Sequence, residues 1–168
     1  MSSFYQIEIK VHGRCIEGDN GSIGAAVAVL AAPDGQVLRR KKEYWPESSC
    51  PGWQTAELTA MILGLEGALN ETSLHSISEQ RLHVMIFSDS VFTLNCLGLF
   101  VGNNSDFGAH RRGAMSVDNH SLVRYMEFLE TQLRMKAVLT YHKVSWEENE
   151  EALLYWKEEI NTKGSTIP

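Results

Sequence analysis

The sequence has no run near the roughly 20 consecutive apolar residues that a membrane-spanning helix needs, although 43% of its 168 residues are apolar. A soluble chain with no membrane partner is therefore expected. The N-terminal stretch MSSFYQIEIK lacks a basic segment followed by an apolar one, so no secretory leader is expected either. Cysteine is scarce. Cys15, Cys50 and Cys96 make an odd set without CxxC spacing, which favours reduced thiols in a cytosolic or nuclear protein over a disulfide frame or a zinc site. The sequons at Asn70 and Asn103 carry no weight in such a compartment. Positive charge is also short: 15 Lys and Arg stand against 21 Asp and Glu, for a net charge of -6. A tight nucleic-acid binder usually carries a basic face that releases phosphate counterions, so the balance argues for weak contact at most. Repeats, low-complexity tracts and a long linker are missing too, which predicts one domain over residues 1–168.

What is present is a clear alternation of elements. Tyr5 to Gly13 places Ile7, Ile9 and Val11 on one face of a strand, and Gly24 to Ala31 is a second, small-residue strand. Asp34-Gly35 signals a hairpin into a third strand, Val37 to Trp45. Pro51-Gly52 breaks the chain before a helix over Thr55 to Leu69, with Leu58, Ile62, Leu65 and Leu69 at helical spacing. Leu82 to Phe87 reads as a buried strand, and Ser90 as the cap of a helix running to about Val101. A polar loop over Gly102 to Ser116 precedes a helix from about Asn119, a fifth strand over Ala137 to Val144 and a last helix over roughly Trp146 to Asn161. The order predicts an α/β fold: a five-stranded mixed sheet, antiparallel in its first three strands, with parallel fourth and fifth strands and about four flanking helices.

On such a sheet chemistry gathers at the carboxyl ends of the strands. His12 and Asp89 are expected there, each at the end of its strand, with Glu57 pointing towards them from the first turn of a helix.

Four segments in order carry a family resemblance. Phe87-Ser88-Asp89-Ser90-Val91-Phe92-Thr93-Leu94-Asn95 closely resembles the strand-to-helix junction of eukaryotic-type ribonuclease H enzymes, where T-D-S precedes an aromatic residue and Thr. Trp53-Gln54-Thr55-Ala56-Glu57-Leu58 resembles that family's N-Q-x-A-E-L. His12-Gly13-Arg14-Cys15 is similar to its D-G-x-C, and Asn149-Glu150-Glu151-Ala152 to its N-E-x-A-D. The match spans nearly the whole chain and implies a ribonuclease H-like fold.

The resemblance implies hydrolysis of the RNA strand of an RNA-DNA hybrid by two Mg²⁺ or Mn²⁺ ions, held roughly 4 Å apart by four carboxylates. Carried across motif by motif, those positions hold His12, Glu57, Asp89 and Leu153, so two of the four carboxylates are replaced. The first of them bridges both metals in the family, and an imidazole donates one nitrogen or, when protonated, repels cations. The family's flexible Gly-His loop is missing as well, because only Val144 to Glu148 separates the fifth strand from Asn149. The resemblance thus implies a degenerate site with little or no nuclease activity, retained for binding nucleic acid or protein.

A rearranged, active site is the alternative. Glu150, one turn before Leu153, would join Glu57 and Asp89 as a catalytic carboxylate, while His12, Glu57 and Asp89 hold a single Mn²⁺ or Zn²⁺. The plainer reading of His12 is a histidine hydrogen-bonded to Asp89 or Glu57. For Glu147, Glu148, Glu150 and Glu151 it is a solvated turn favoured by the helix dipole.

Asn20 and Gln54 match positions that sense RNA hydroxyls in the minor groove of the hybrid, and Phe92 an aromatic residue of the DNA channel. The family's phosphate-gripping Arg and Thr correspond to Cys50 and Gly52. Two clusters remain for nucleic-acid contact: Arg39 to Lys42 on the third strand, and His110, Arg111 and Arg112 in the loop where the family carries a basic protrusion. Alternation divides the first cluster between two faces, so a solvated edge is equally compatible with it. A pure protein-interaction domain, anchored on Trp45, Trp53, Trp146 or Trp156, is the remaining alternative.

Overall fold

The computed structural model describes residues 4–74, 81–98 and 117–164. Strand β1 (Phe4–Gly18) runs through the middle of a five-stranded sheet with β2 (Gly21–Ala31), β3 (Val37–Trp45), β4 (Arg81–Ser88) and β5 (Val138–Lys143), in the order β3-β2-β1-β4-β5. The first three strands pair antiparallel, while β4 and β5 run parallel to β1. Helices α1 (Trp53–Leu74), α2 (Val91–Cys96), α3 (Val117–Arg134) and α4 (Glu150–Gly164) complete the expected α/β architecture. No described helix is long and apolar enough to cross a membrane.

Alternation along the strands divides the core in two. Ile7, Ile9 and Val11 of β1, with Ala26, Ala28 and Leu30 of β2, face α1 and α3, where Leu58, Met61, Leu65, Met126 and Leu133 are fully buried. Truncating Leu65 to Ala in that layer would cost about 2–5 kcal/mol. Ile23, Ala25, Val27 and Val29 face α4 and its Ala152, Tyr155, Trp156 and Ile160. Helix α1 lies between sheet and α3, which explains why it is buried well beyond the apolar stripe read from its sequence. Its Gly64 faces Val11 and Ile9 so closely that a Cβ there would press on Val11.

Several boundaries differ from expectation: α1 runs on to Leu74 rather than Leu69, β2 begins at Gly21 rather than Gly24, and three more bear on the site's surroundings. Strand β1 does not stop at Gly13 but continues, paired only with β2, to a two-residue turn at Asp19-Asn20 before Gly21, whose φ of 123° suits glycine. His12 therefore lies within β1, level with the point where β4 ends, because the β1–β4 ladder closes at Val11 and Ser88. Helix α2 ends at Cys96 rather than near Val101: Gly98 turns left-handed at φ 73° and its amide donates to the Asn95 carbonyl. At the other end, Trp146 to Asn149 form a turn before α4. Ser145 and Glu148 close it as a reciprocal capping box, the Ser145 amide donating to Glu148 Oε2 at 2.8 Å and the Glu148 amide to Ser145 Oγ at 3.3 Å.

The cysteine reading requires correction. Cys15 and Cys50 are joined as a disulfide with Cα atoms 6.4 Å apart, and Cys96 is the free thiol. Their separation of 35 residues hides this. The antiparallel meander carries the chain out through β2 and back through β3, returning it beside its starting point.

Candidate functional site

The site lies where β4 ends beside β1. Residues one past the last paired couple, His12 and Asp89, meet across that edge, with His12 Nδ1 2.9 Å from Asp89 Oδ2. Both are largely covered, the side chains being 8% and 16% exposed. His12 is held on its other side by the edge of Trp156, whose ring centroid is 5.7 Å away. The Trp156 indole N–H is fixed in turn by the carbonyls of Arg14 and Ala25, at 3.2 and 3.0 Å. Asn149, fully buried, donates from Nδ2 to the Val11 carbonyl at 2.8 Å, which ties the start of α4 to the residue before His12.

Glu57 reaches the same place from the opposite side of the sheet. Gly13 permits this, since a Cβ at that position would collide with the Ala56 carbonyl. Glu57 Oε2 accepts a hydrogen bond of 2.5 Å from Ser90 Oγ, and the Thr93 amide donates to the same hydroxyl oxygen at 3.0 Å, capping α2. Burial raises the Glu57 pKa above its ordinary value. The Ser90 hydrogen bond opposes the shift, the Asp89 charge adds to it, and His12 weakens it.

The remaining expected residues are spread around this centre. Glu150 is exposed on the first turn of α4, and Leu153 is buried. Among the described residues no group of three or more His, Cys, Asp or Glu side chains is arranged to hold a metal ion. Gln54 is half-buried, its Oε1 accepting from Asn119 Nδ2 at 3.2 Å, while Thr55 Oγ1 donates to Asn119 Oδ1 at 2.6 Å. Phe92 is buried beneath the exposed Trp53, with ring centroids 5.3 Å apart. Asn20 is exposed in the β1–β2 turn, where its carbonyl accepts from Ser48 Oγ at 2.6 Å. His110, Arg111 and Arg112 lie outside the described residues.

The basic run on β3 is already partnered. Arg39 and Lys41 face α1, at 3.5 Å from Glu71 and 2.8 Å from Glu66. Arg40 and Lys42 face α4, where Arg40 lies 3.8 Å from Glu158, Lys42 bonds Glu159, and both cations lie over the Tyr155 ring. Alternation along the edge strand thus matches each cation to a glutamate on the helix it faces. Sequence reasoning missed Trp156 as the rest for His12 and Asn149 as an anchor. It placed Ser90 as a cap without its bond to Glu57, for which the adjacency of Ser90 to Asp89 was the available signal.

No protein-family model matches the chain, and no curated protein matches its sequence. Solved structures match its fold. The N-terminal RNase H domain of a Mycobacterium tuberculosis protein superposes with a TM-score of 0.64 at 16% identity, over 96% of this chain and 98% of that one. RNase H1 from the archaeon Halobacterium salinarum gives 0.59 at 16% identity, over 95% and 99%. LC11-RNase H1, solved in complex with an RNA/DNA hybrid, gives 0.57 at 14% identity, over 94% and 97%. The chain therefore has the ribonuclease H-like fold.

Proposed function

We propose that this chain is a ribonuclease H-like domain without two-metal hydrolysis, retained as a binding module for nucleic acid or protein. The contact between His12 Nδ1 and Asp89 Oδ2 at 2.9 Å carries this reading. Two Mg²⁺ ions need a cage of oxygens with a carboxylate between them. Here an imidazole stands in that place and already engages one of the two remaining carboxylates, while the other, Glu57, accepts from Ser90 and is biased by burial towards its neutral form. Leu153 supplies no oxygen at the fourth position, and Glu150 is exposed one turn away from it. The side chains present do not fit a pair of hard cations, so no hydrolytic step is assigned to them.

As a ligand, an RNA-DNA hybrid would be held weakly, because the four cations of β3 are matched by glutamates and the net charge is -6. A labelled hybrid incubated with the protein in Mg²⁺ and separately in Mn²⁺ tests the reading. No cleavage above a protein-free blank is expected. Cleavage that Asp89→Asn abolishes would overturn it, and would support the rearranged site in which His12, Glu57 and Asp89 hold one Mn²⁺ or Zn²⁺ with Glu150 assisting. Gel shifts with hybrid, duplex and single-stranded probes across a salt series then separate a nucleic-acid module, which weakens with salt, from a protein-interaction domain, which shifts none of them.

A further inference from the structure

The last row shared by all three strands of the β1–β2–β3 meander pairs Cys15 with Gly24 and Gly24 with Trp45, while β1 and β2 alone continue to Gly18 and Gly21. Beyond Trp45 the chain leaves the ladder and doubles back, over residues 46–52, to start α1. Among the described residues few bonds hold this connector to the sheet, although the Ala56 amide of α1 donates back to its Gly52 carbonyl at 3.1 Å. Ser48 Oγ donates to the Asn20 carbonyl at 2.6 Å, and Ser49 bonds only within the connector, to Pro46. Its backbone turns left-handed twice, at Ser48 with φ 65° and at Gly52 with φ 105°, and the first is a conformation that a serine adopts at a cost.

The Cys15–Cys50 bond cross-links this connector to β1, and the sheet is shaped for it. Gly24 faces the two sulfurs, and a Cβ there would collide with both. The Cα spacing of 6.4 Å lies within the range a disulfide spans. Both cysteines are half-buried rather than sealed in the core. The strands between the two cysteines are already fixed by their ladders, so the bond adds restraint chiefly to the segment that the ladders leave loose.

We propose that Cys15 and Cys50 form a reversible redox clasp that sets the mobility of the connector and of the first turn of α1, which carries Trp53 and Gln54. Oxidised glutathione serves as the oxidant. One cysteine thiolate attacks its S–S bond and releases a first glutathione thiol. The second then attacks the mixed disulfide and releases another. Two protein thiols thereby lose two electrons and two protons, and one glutathione disulfide becomes two thiols. With the clasp open the sheet persists, since its ladders and both cores do not depend on the bond, while the corner loosens. The inference stands whether or not the domain binds a hybrid.

The test uses the Cys96→Ser protein, so that only this pair titrates. It is equilibrated in reduced and oxidised glutathione, alkylated and weighed, and its amide hydrogen exchange is followed by peptide. Two alkylations are expected after reduction and none after reoxidation, with exchange across 46–56 at least tenfold faster in the reduced form and unchanged in β1, β2 and β4. Cys50→Ser in the same background should reproduce the fast exchange in both buffers. Equal exchange in the two redox states would overturn the proposal. So would a pair that oxidised glutathione fails to close, or a loss of protection throughout the sheet on reduction, which would make the bond a structural staple. If Cys50→Ser fails to fold, the reduced Cys96→Ser protein decides alone.

Discussion

His12 and Asp89, 77 residues apart, meet one step beyond the last pair of the parallel β1–β4 ladder, Nδ1 to Oδ2 at 2.9 Å. The contact closes an edge that carboxylates facing each other would leave in need of a cation. It also ties β1 to β4 beyond their backbone bonds. His12→Ala removes this bond and the rest against Trp156, leaving the Asp89 carboxylate, 16% exposed, without its imidazole. A loss of about 1–3 kcal/mol is expected in urea unfolding. Asp89→Asn, which keeps an acceptor for a neutral imidazole, should cost less than His12→Ala.

On the proposed reading, carboxylates placed at positions 12 and 153 should create a cation dependence absent from the native chain. In the double variant His12→Asp, Leu153→Asp, the family's arrangement would bring four acids together, which repel one another until a cation enters. Binding Mg²⁺ at 10 mM with a Kd near 1 mM would add about 1.4 kcal/mol, a rise in Tm of about 3–6 °C. Calorimetric scans with and without Mg²⁺ measure it. The native protein should show no such rise, and an equal rise in both proteins would contradict the account of the site.

Much of this was legible in advance, for identifiable reasons. The hairpin at Asp34-Gly35, the span Val37–Trp45 and the stop of β4 before Asp89 follow from local turn chemistry and alternation, which act within a few residues. The meeting of His12 with Asp89 was readable because both motifs flank parallel neighbours. The Asp19-Asn20-Gly21 turn was equally local, yet the polar stretch after Gly13 hid a strand that pairs on one side only. The Cys15–Cys50 bond, the four matched cations of β3 and the seat of His12 on Trp156 were not legible, because each depends on which helix covers which sheet face.

The raised pKa of Glu57 has a definite sign in stability. Its folded state takes up a proton more readily than the unfolded chain, whose glutamate titrates near 4.5. Stability attributable to Glu57 therefore falls as pH rises from that value through the raised one, and the penalty persists above it. Glu57→Gln removes the titration while keeping an acceptor for Ser90. The variant should be at least as stable as the native protein at pH 7, with the difference shrinking towards pH 4.5. Urea midpoints of both proteins between pH 4 and 8 give the comparison, and a difference that grows on acidification would refute it.

Gly13 is the position where β1 and α1 approach most intolerantly, since an added Cβ meets the Ala56 carbonyl and the Glu57 amide, both backbone. Side-chain rearrangement cannot relieve that clash, so α1 must shift as a body and carry Glu57 away from Ser90. Gly13→Ala should cost about 3 kcal/mol, the upper part of the usual range for overpacking. Gly35→Ala offers a contrast: nothing lies within 4 Å of its added Cβ, so only the strain of its positive φ, 86°, is felt. Denaturation midpoints should place Gly13→Ala well below Gly35→Ala, and the reverse order would show that this approach is not tight.

The two outer cations of β3 that face α4 look alike in sequence and should differ sharply in effect. Arg40 lies 3.8 Å from Glu158, with both side chains at least half exposed, at 50% and 64%. Solvent screens such a pair and the exposed contact of Arg40 with the Tyr155 ring adds little, so Arg40→Ala should change stability by less than about 1 kcal/mol. Lys42 bonds Glu159, whose side chain is only 9% exposed, and that bond is the main reason the Lys42 pKa is raised. Removing Lys42 leaves a buried carboxylate facing the more distant Lys163 at 3.7 Å. Lys42→Ala should therefore cost more than Arg40→Ala, and adding Glu159→Gln should recover part of the loss by removing the stranded charge. A double variant less stable than Lys42→Ala alone would show that Glu159 supports α4 by packing rather than through its pair with Lys42.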